Sequence, residues 1–331
     1  MRYFFCMKRV LSGMQPSGNP HIGNYLGAMR RHVELSHDAE HECFYFVANY
    51  HALTTVRDGA TLHNLTRELV LDYLALGLDT TETAFFVQSS IPELTELTWI
   101  FDCITSMGLL ERAHAWKDAR AKKKKEITVG LFNYPVLMAV DILIYKPDMV
   151  PVGKDQKQHV EMARDIAENF NNTFGETFKL PAPDIKEDVA VVPGTDGQKM
   201  SKSYGNVIEI FADEARLKEQ VFSIKTDSKG VDEPKNPTEV LPYNLYAFFA
   251  HDREARDLAE KLKAGGVGYA EIKKKLFETL LDHFAKARTA RRALEKNLDH
   301  VEAVLREGTR KARAVATATM DDVRKKVGLW L

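Results

Sequence analysis

Gly13-Met14-Gln15-Pro16-Ser17-Gly18-Asn19-Pro20-His21-Ile22-Gly23-Asn24 lies between a short β-type run, Arg9-Val10-Leu11-Ser12, and an amphipathic helical pattern from Tyr25 to about Leu35. A strand, a turn rich in Gly, Pro and Ser, and then a helix start present unpaired backbone N–H groups, the geometry that receives an anion. Glycines at 13, 18, 23 and 27 permit a tight turn and let a flat ligand press on the backbone. His21 stands where an imidazole can donate to phosphate oxygens. The spacing is neither G-x-G-x-x-G nor G-x-x-x-x-G-K-[ST], which counts against a dinucleotide fingerprint and a Walker-type NTPase. An ordinary βα corner with a capped helix shares this look, so the turn alone does not decide a phosphate site.

Moving outward, Cys43-Phe44-Tyr45-Phe46-Val47-Ala48 reads as a buried strand, Leu62 to Leu76 as a helix, and Ala84-Phe85-Phe86-Val87-Gln88 as another strand. This alternation implies an α/β fold with a parallel sheet and crossover helices, in which ligands bind at the carboxyl ends of the strands. The first turn and Tyr50-His51-Ala52 both fall at such ends. Leu94 to Trp116 looks helical and is followed by a charge run from Lys117 to Lys125, read as a solvated face or as a neighbour of phosphate.

Tyr134-Pro135-Val136-Leu137-Met138-Ala139-Val140-Asp141-Ile142-Leu143-Ile144-Tyr145 reads as a helix with proline near its start and with Tyr134, Met138, Asp141 and Tyr145 on one face. Asp141 is the one carboxylate in an apolar run. Burying it unpaired is costly, so a donor must meet it, either a structural partner or one that arrives with a ligand. Val150-Pro151-Val152-Gly153-Lys154-Asp155-Gln156 then gives a strand end, a glycine turn and a polar helix start. There Asp155 and Gln156 can grip a ribose hydroxyl or an α-ammonium group.

The second decisive stretch is Lys199-Met200-Ser201-Lys202-Ser203, on a loop flanked by Gly194, Gly197 and Gly205. Two lysines three apart on such a loop form a cationic arm able to close on a triphosphate. Beyond Gly205 helical patterns dominate, with Pro234, Pro237 and Pro242 marking a loop. Leu276 to Leu305 keeps a helical period, and Gly308 is expected to break it before a last helix to about Val327.

The 331 residues are 44% apolar with a net charge of −1, which bounds a large domain plus a smaller one and gives no global basic field. Residues 273–331, however, hold 15 Lys and Arg against 8 Asp and Glu, a net of +7, so any partner surface is expected there, facing RNA phosphates, with plain solvated charge as the alternative. Cys6, Cys43 and Cys103 have no C-x-x-C spacing, which argues against a disulfide framework or a metal cluster. No apolar run approaches about 18 residues and no signal segment is present, so a cytoplasmic protein without a membrane partner is expected. Residues 1–6 lie outside the pattern that starts at Met7 and are read as an extension without a role.

H-I-G-N at 21–24 and K-M-S-K-S at 199–203, about 180 residues apart, together resemble the paired signatures of class I aminoacyl-tRNA synthetases. With Leu137-Met138-Ala139-Val140-Asp141, the G-x-D-Q-K-Q-H stretch from Gly153 to His159, and Thr226-Asp227-Ser228, the resemblance narrows to the tryptophanyl-tRNA synthetase family. It runs from Met7 to the C-terminal helices. The sequence departs from that pattern at Ala119, where a lysine is usual, and at Lys154, where a glutamate is usual.

The resemblance implies a Rossmann-like catalytic domain at 1–205 and an all-helical tRNA anticodon-binding domain at 206–331, working as a homodimer. It implies activation of L-tryptophan by ATP, with Mg²⁺ carried on the triphosphate and no metal site of the protein's own, then transfer to tRNA(Trp). His21, Asn24, Lys199, Ser201 and Lys202 would be catalytic. Gln15, Ser17, Gly18, Gly23, Gly153, Asp155 and Met200 would join them around ATP, with Gly23 under adenine and Asp155 on ribose. Leu11, Gln15, His51, Tyr134, Met138, Asp141, Val152 and Gln156 would form the tryptophan pocket. There Asp141 would accept the indole N–H, and Tyr134 and Gln156 would hold the α-amino group. Tyrosyl specificity, a non-catalytic binding paralogue and a related nucleotidyl transferase are the alternatives.

Overall fold

The computed structural model describes residues 7–121, 127–153, 156–184 and 192–330. Lys122–Lys125, Lys154 and Asp155 lie outside them, as do residues 1–6. The described residues divide into two compact units, the first within 7–18, 31–184 and 296–330, the second within 19–30 and 192–295.

The first unit is built on five parallel strands: β1 (Lys8–Met14), β2 (His41–Val47), β3 (Ala84–Val87), β4 (Met149–Pro151) and β5 (Ala182–Asp184), in the order β3-β2-β1-β4-β5. β1 and β2 pair over their full length, with Leu11 opposite Phe44 and Met14 opposite Val47. The buried stretches Val10–Ser12 of β1 and Cys43–Val47 of β2 reflect burial of both sheet faces. Val10, Leu11, Phe44, Val47, Phe85 and Phe86 are all at most 2% exposed. Full burial of one such side chain contributes about 1.5–3 kcal/mol.

Helical residues 22–36 comprise α1 (Ile22–Asn24), a π turn (Tyr25–Met29) and α2 (Arg30–Ser36). Between β2 and β3 come α3 (Asn49–Ala52) and α4 (Gly59–Ala75). Between β3 and β4 come α5 (Glu93–Asp102), α6 (Met107–Glu111), α7 (His114–Ala121) and α8 (Val129–Leu143). The stretch 94–116, expected as one helix, is thus broken twice: Ser106 starts a new helix by capping Leu109 N. α8 begins earlier than expected, because the Thr128 hydroxyl accepts from Leu131 N and caps it there. Pro135 consequently sits inside α8 rather than at its start, where it removes one backbone donor. α9 (Lys157–Phe174) leads to β5.

The second unit is helical: α10 (Glu214–Phe222), α11 (Leu241–Ala247), α12 (Asp252–Ala264), α13 (Tyr269–His283) and α14 (Ala285–Leu294). Its core includes Leu217, Val221, Leu245, Leu262, Ile272 and Leu276. The last helix, α15 (Leu298–Val327), belongs to the first unit, where it packs on β3 and α5. One sequence expectation therefore changes. The helical break falls before Asn297, which caps α15, while Gly308 lies inside a continuous helix. By compactness, residues 19–30 group with the second unit and the C-terminal helix groups with the sheet.

Candidate functional site

In the second unit the H-I-G-N turn is fixed by its own side chains. Asn24 N donates to His21 Nδ1 at 3.3 Å, and His21 N donates to Asn24 Oδ1 at 3.2 Å. This reciprocal cap starts α1. A short antiparallel bridge, Ile22 N to Ile208 O at 3.0 Å and Ile210 N to Pro20 O at 3.2 Å, ties the turn to the chain beyond the K-M-S-K-S loop. Glu209 reinforces it, accepting from Asn19 Nδ2 at 2.9 Å, Arg216 Nη2 at 3.0 Å and Gln220 Nε2 at 3.0 Å. Burial pushes the Glu209 carboxyl up, but these donors and the Arg216 charge outweigh it, so it is ionised more readily than usual. Burial, then the Lys202 charge, hold His21 down at about 4 against the opposing pull of Glu209. His21 is therefore a neutral imidazole near pH 7, and because Nδ1 accepts from Asn24, its proton resides on Nε2.

The K-M-S-K-S loop is a tight hairpin in the same unit, with Gly194 N bonded to Gln198 O and Met200 N to Val192 O. Met200 is buried at 4% exposure and anchors it, while Lys199 is exposed. Ser201 Oγ accepts from Ser203 N and starts a 3₁₀ turn at Lys202–Tyr204.

In the first unit, Gly18 holds φ 108°, a left-handed conformation that suits glycine in the turn after β1. Asp141, 2% exposed on α8, has donors from the protein itself. Gln88 Nε2 lies 2.8 and 2.9 Å from its two oxygens, and His51 Nε2 lies 2.7 Å from Oδ2. Both sit at carboxyl ends of strands, Gln88 just after β3 and His51 on α3 after β2. The Tyr134 ring stands edge-on to His51, and its hydroxyl pairs with His159 Nε2 at 2.7 Å. Burial pushes the Tyr134 phenol up, so it remains a neutral hydroxyl. A cavity of about 350 Å³ opens beside His51 and Tyr134, with Tyr50, Thr95 and Asn133 among its walls. Asp141 does not line it. Among the described residues no three His, Cys, Asp or Glu side chains are placed to hold a metal ion.

The profile described as "tRNA synthetases class I (W and Y)" matches residues 7–285. The chain belongs to this family. A tryptophan–tRNA ligase of Fusobacterium nucleatum is 52% identical over 324 residues, 98% of each chain. The structure of tryptophanyl-tRNA synthetase from Campylobacter jejuni, complexed with ADP and tryptophan, is 43% identical with a TM-score of 0.91, over 97% of this chain and 99% of that one. A tyrosyl-tRNA synthetase complexed with L-tyrosine from Archaeoglobus fulgidus, 20% identical, with a TM-score of 0.65 over 86% of this chain and 90% of that one, shares the fold.

Of the residues expected in a class I synthetase site, the second unit holds His21, Gly23, Asn24, Lys199, Met200, Ser201 and Lys202. The first holds Leu11, Gln15, Ser17, Gly18, His51, Tyr134, Met138, Asp141, Val152, Gly153 and Gln156. Asp155 lies outside the described residues. Direct hydrogen bonds join His21 to Asn24 and His51 to Asp141, and Gln15 Nε2 reaches His51 O at 3.5 Å, the long edge of the range. Met138 and Val152 are half-buried against the core, and Gln156 stands at the start of α9. Sequence reasoning missed Gln88, His159 and Glu209. Gln88 closes the predicted strand 84–88 as one more polar terminus, and nothing near it in sequence points to Asp141.

Proposed function

We propose that this chain is a tryptophan–tRNA ligase. The carboxylate of L-tryptophan attacks the α-phosphorus of ATP, the bond to the bridging oxygen breaks, and pyrophosphate leaves. The tRNA(Trp) terminal hydroxyl then takes the aminoacyl group from the adenylate and AMP departs. The carrying observation is the anchored carboxylate of Asp141 in a chain so closely related, along its whole length, to tryptophan enzymes. Phenylalanine offers Asp141 no N–H, and tyrosine carries its donor elsewhere on the ring, so a buried acceptor selects indole.

The protein supplies no covalent nucleophile; it positions substrates and stabilises charge. Neutral His21 donates through Nε2 to phosphate oxygens, and Lys199 and Lys202 carry positive charge to the leaving pyrophosphate. Mg²⁺ would be carried on the triphosphate, where it would neutralise phosphate charge, with Lys199 and Lys202 adding their positive charge. Gln15, Ser17, Gly18, Gly23, Asn24, Gly153, Asp155, Met200 and Ser201 complete the ATP contacts. Leu11, His51, Met138 and Val152 flank the indole, with Tyr134 and Gln156 on the α-amino group. Residues 206–331, with their basic helices, bind tRNA. We take the working form as a cytoplasmic homodimer; exposed Leu53, Trp99 and Val129 offer apolar surface for a second copy. No helix among the described residues is long and apolar enough to cross a membrane.

Amino-acid-dependent ATP–pyrophosphate exchange across the standard amino acids tests this reading, with Lys199→Ala/Lys202→Ala as control. Exchange with tryptophan alone is expected; exchange with tyrosine instead would overturn the role of Asp141.

A further inference from the structure

Asp141 is oriented by a residue that touches no substrate in the reading above. Gln88 is fully buried at 0% exposure. Its Oε1 accepts from Tyr50 N at 2.9 Å. A backbone N–H can only donate, so this contact fixes the carboxamide with its oxygen toward Tyr50 and its nitrogen toward Asp141. Nε2 then spans both oxygens of the carboxylate. Next door, Asn49 and Ser89 lock the same two segments reciprocally, Asn49 Nδ2 to Ser89 Oγ at 2.8 Å and Ser89 N to Asn49 Oδ1 at 3.0 Å. The β3 terminus and the start of α3 thus form one frame, and that frame delivers Gln88 and His51 to Asp141 together.

A carboxylate offers about four lone-pair positions, two on each oxygen. Among the described residues, His51 and Gln88 occupy both of those on Oδ2, whereas Oδ1 receives Gln88 alone. We propose that Gln88 is a specificity-positioning residue: it pins the Asp141 carboxylate so that Oδ1 keeps one acceptor position for the indole N–H of tryptophan. This rests on the reading that Asp141 meets the indole. Without Gln88 the carboxylate can rotate about its own bond, and its selectivity for an N–H over an isosteric group falls.

The test compares tryptophan with its benzothienyl isostere, in which sulfur replaces the indole N–H, by kcat/KM in pyrophosphate exchange. Gln88→Met is expected to cut the preference for tryptophan about 10- to 100-fold, the effect of a lost hydrogen bond to a charged group, with the KM for ATP unchanged. Gln88→Glu supplies a second readout should the methionine variant fold poorly. The glutamate keeps the length of the side chain and the acceptor for Tyr50 N but replaces the amide donor to Asp141 with an oxygen, so the preference for tryptophan is expected to fall as it does in the methionine variant. Asp141→Ala separates the layers. If it abolishes the preference while neither Gln88 variant changes it, the Gln88 proposal alone fails. If Asp141→Ala leaves the preference intact, the indole reading fails and carries this proposal with it.

Discussion

Gly308 approaches the carbonyl of Phe85 so closely that a Cβ on the glycine would stand 1.8 Å from the oxygen. α15 thereby lies backbone against backbone along β3, the edge strand of the sheet, and covers it. Arg313 to Glu93 at 2.9 Å and Arg324 to Glu96 hold the same helix to α5. Gly308→Ala must push helix and strand apart, and such overpacking costs about 3 kcal/mol. Urea unfolding is expected to show the loss as a lower midpoint. An unchanged midpoint would mean that α15 can shift at no cost.

The same glycine shows where sequence reading reaches its limit. Within the sequence a glycine in a helical pattern signals a stop, since it costs about 1 kcal/mol against alanine there. Only β3, over 200 positions earlier, explains its presence inside α15. Pro135 likewise reads as a helix start because the cap that sets the true start, Thr128, carries no apolar period. By contrast strands β1 to β4, the glycine turn after β1 and the K-M-S-K-S loop are legible, for their pattern is written in adjacent residues, whereas β5 at 182–184 is not. Asp141 is conspicuous as one charge in an apolar run. Its partner Gln88 is not, because their link spans 53 residues and depends on the order in which strands assemble.

His32 provides a test of stability against pH. It is 2% exposed, its ring stacked on Tyr45 at a centroid distance of 4.7 Å and nearly parallel to that of Tyr73, whose Oη pairs with Nδ1 at 2.8 Å. Burial, assisted by the Arg31 charge, lowers its pKa from 6.5 to about 4. The unfolded chain therefore takes up a proton below about pH 6.5 that the folded chain refuses until about pH 4. Stability falls with pH across that window, by at most about 1.4 kcal/mol per unit from this group. In His32→Phe the slope of unfolding free energy against pH between those limits is expected to flatten by that contribution. An identical slope in both proteins would show that His32 does not carry it.

His21 should leave no limb in the activity profile. Its pKa of about 4 keeps it neutral throughout the working range, and Asn24 N–H on Nδ1 keeps the proton on Nε2. His21→Asn is expected to slow pyrophosphate exchange about 100-fold, the cost of one preorganised donor, by the same factor at every pH above about 5.5. An ascending or descending limb near pH 6.5 in the parent protein, absent from the variant, would mean that the imidazole titrates during activation.

Asn206 governs the loop that carries both lysines. It is 2% exposed; its Oδ1 accepts from Ser201 N at 2.8 Å, and its Nδ2 donates to Asp196 Oδ1 at 2.7 Å and to Lys199 O at 3.2 Å. One side chain thus grips the loop on both sides of Met200. Asn206→Ala removes these three bonds, leaving Asp196 with backbone donors such as Gln198 N, and is expected to slow exchange about 10-fold or more while the KM for tryptophan stays near that of the parent. Asn206→Asp keeps the acceptor for Ser201 but removes both donations and sets a second carboxylate against Asp196, whose carboxyl is held below its usual range chiefly by the Asn206 hydrogen bond. It should therefore be the slower variant near neutral pH, and it should recover as the pH falls and the pair takes up a proton, since the protonated aspartate regains a donor. If the aspartate variant matches the parent at neutral pH, the donor side of Asn206 has no part in holding the lysines in place.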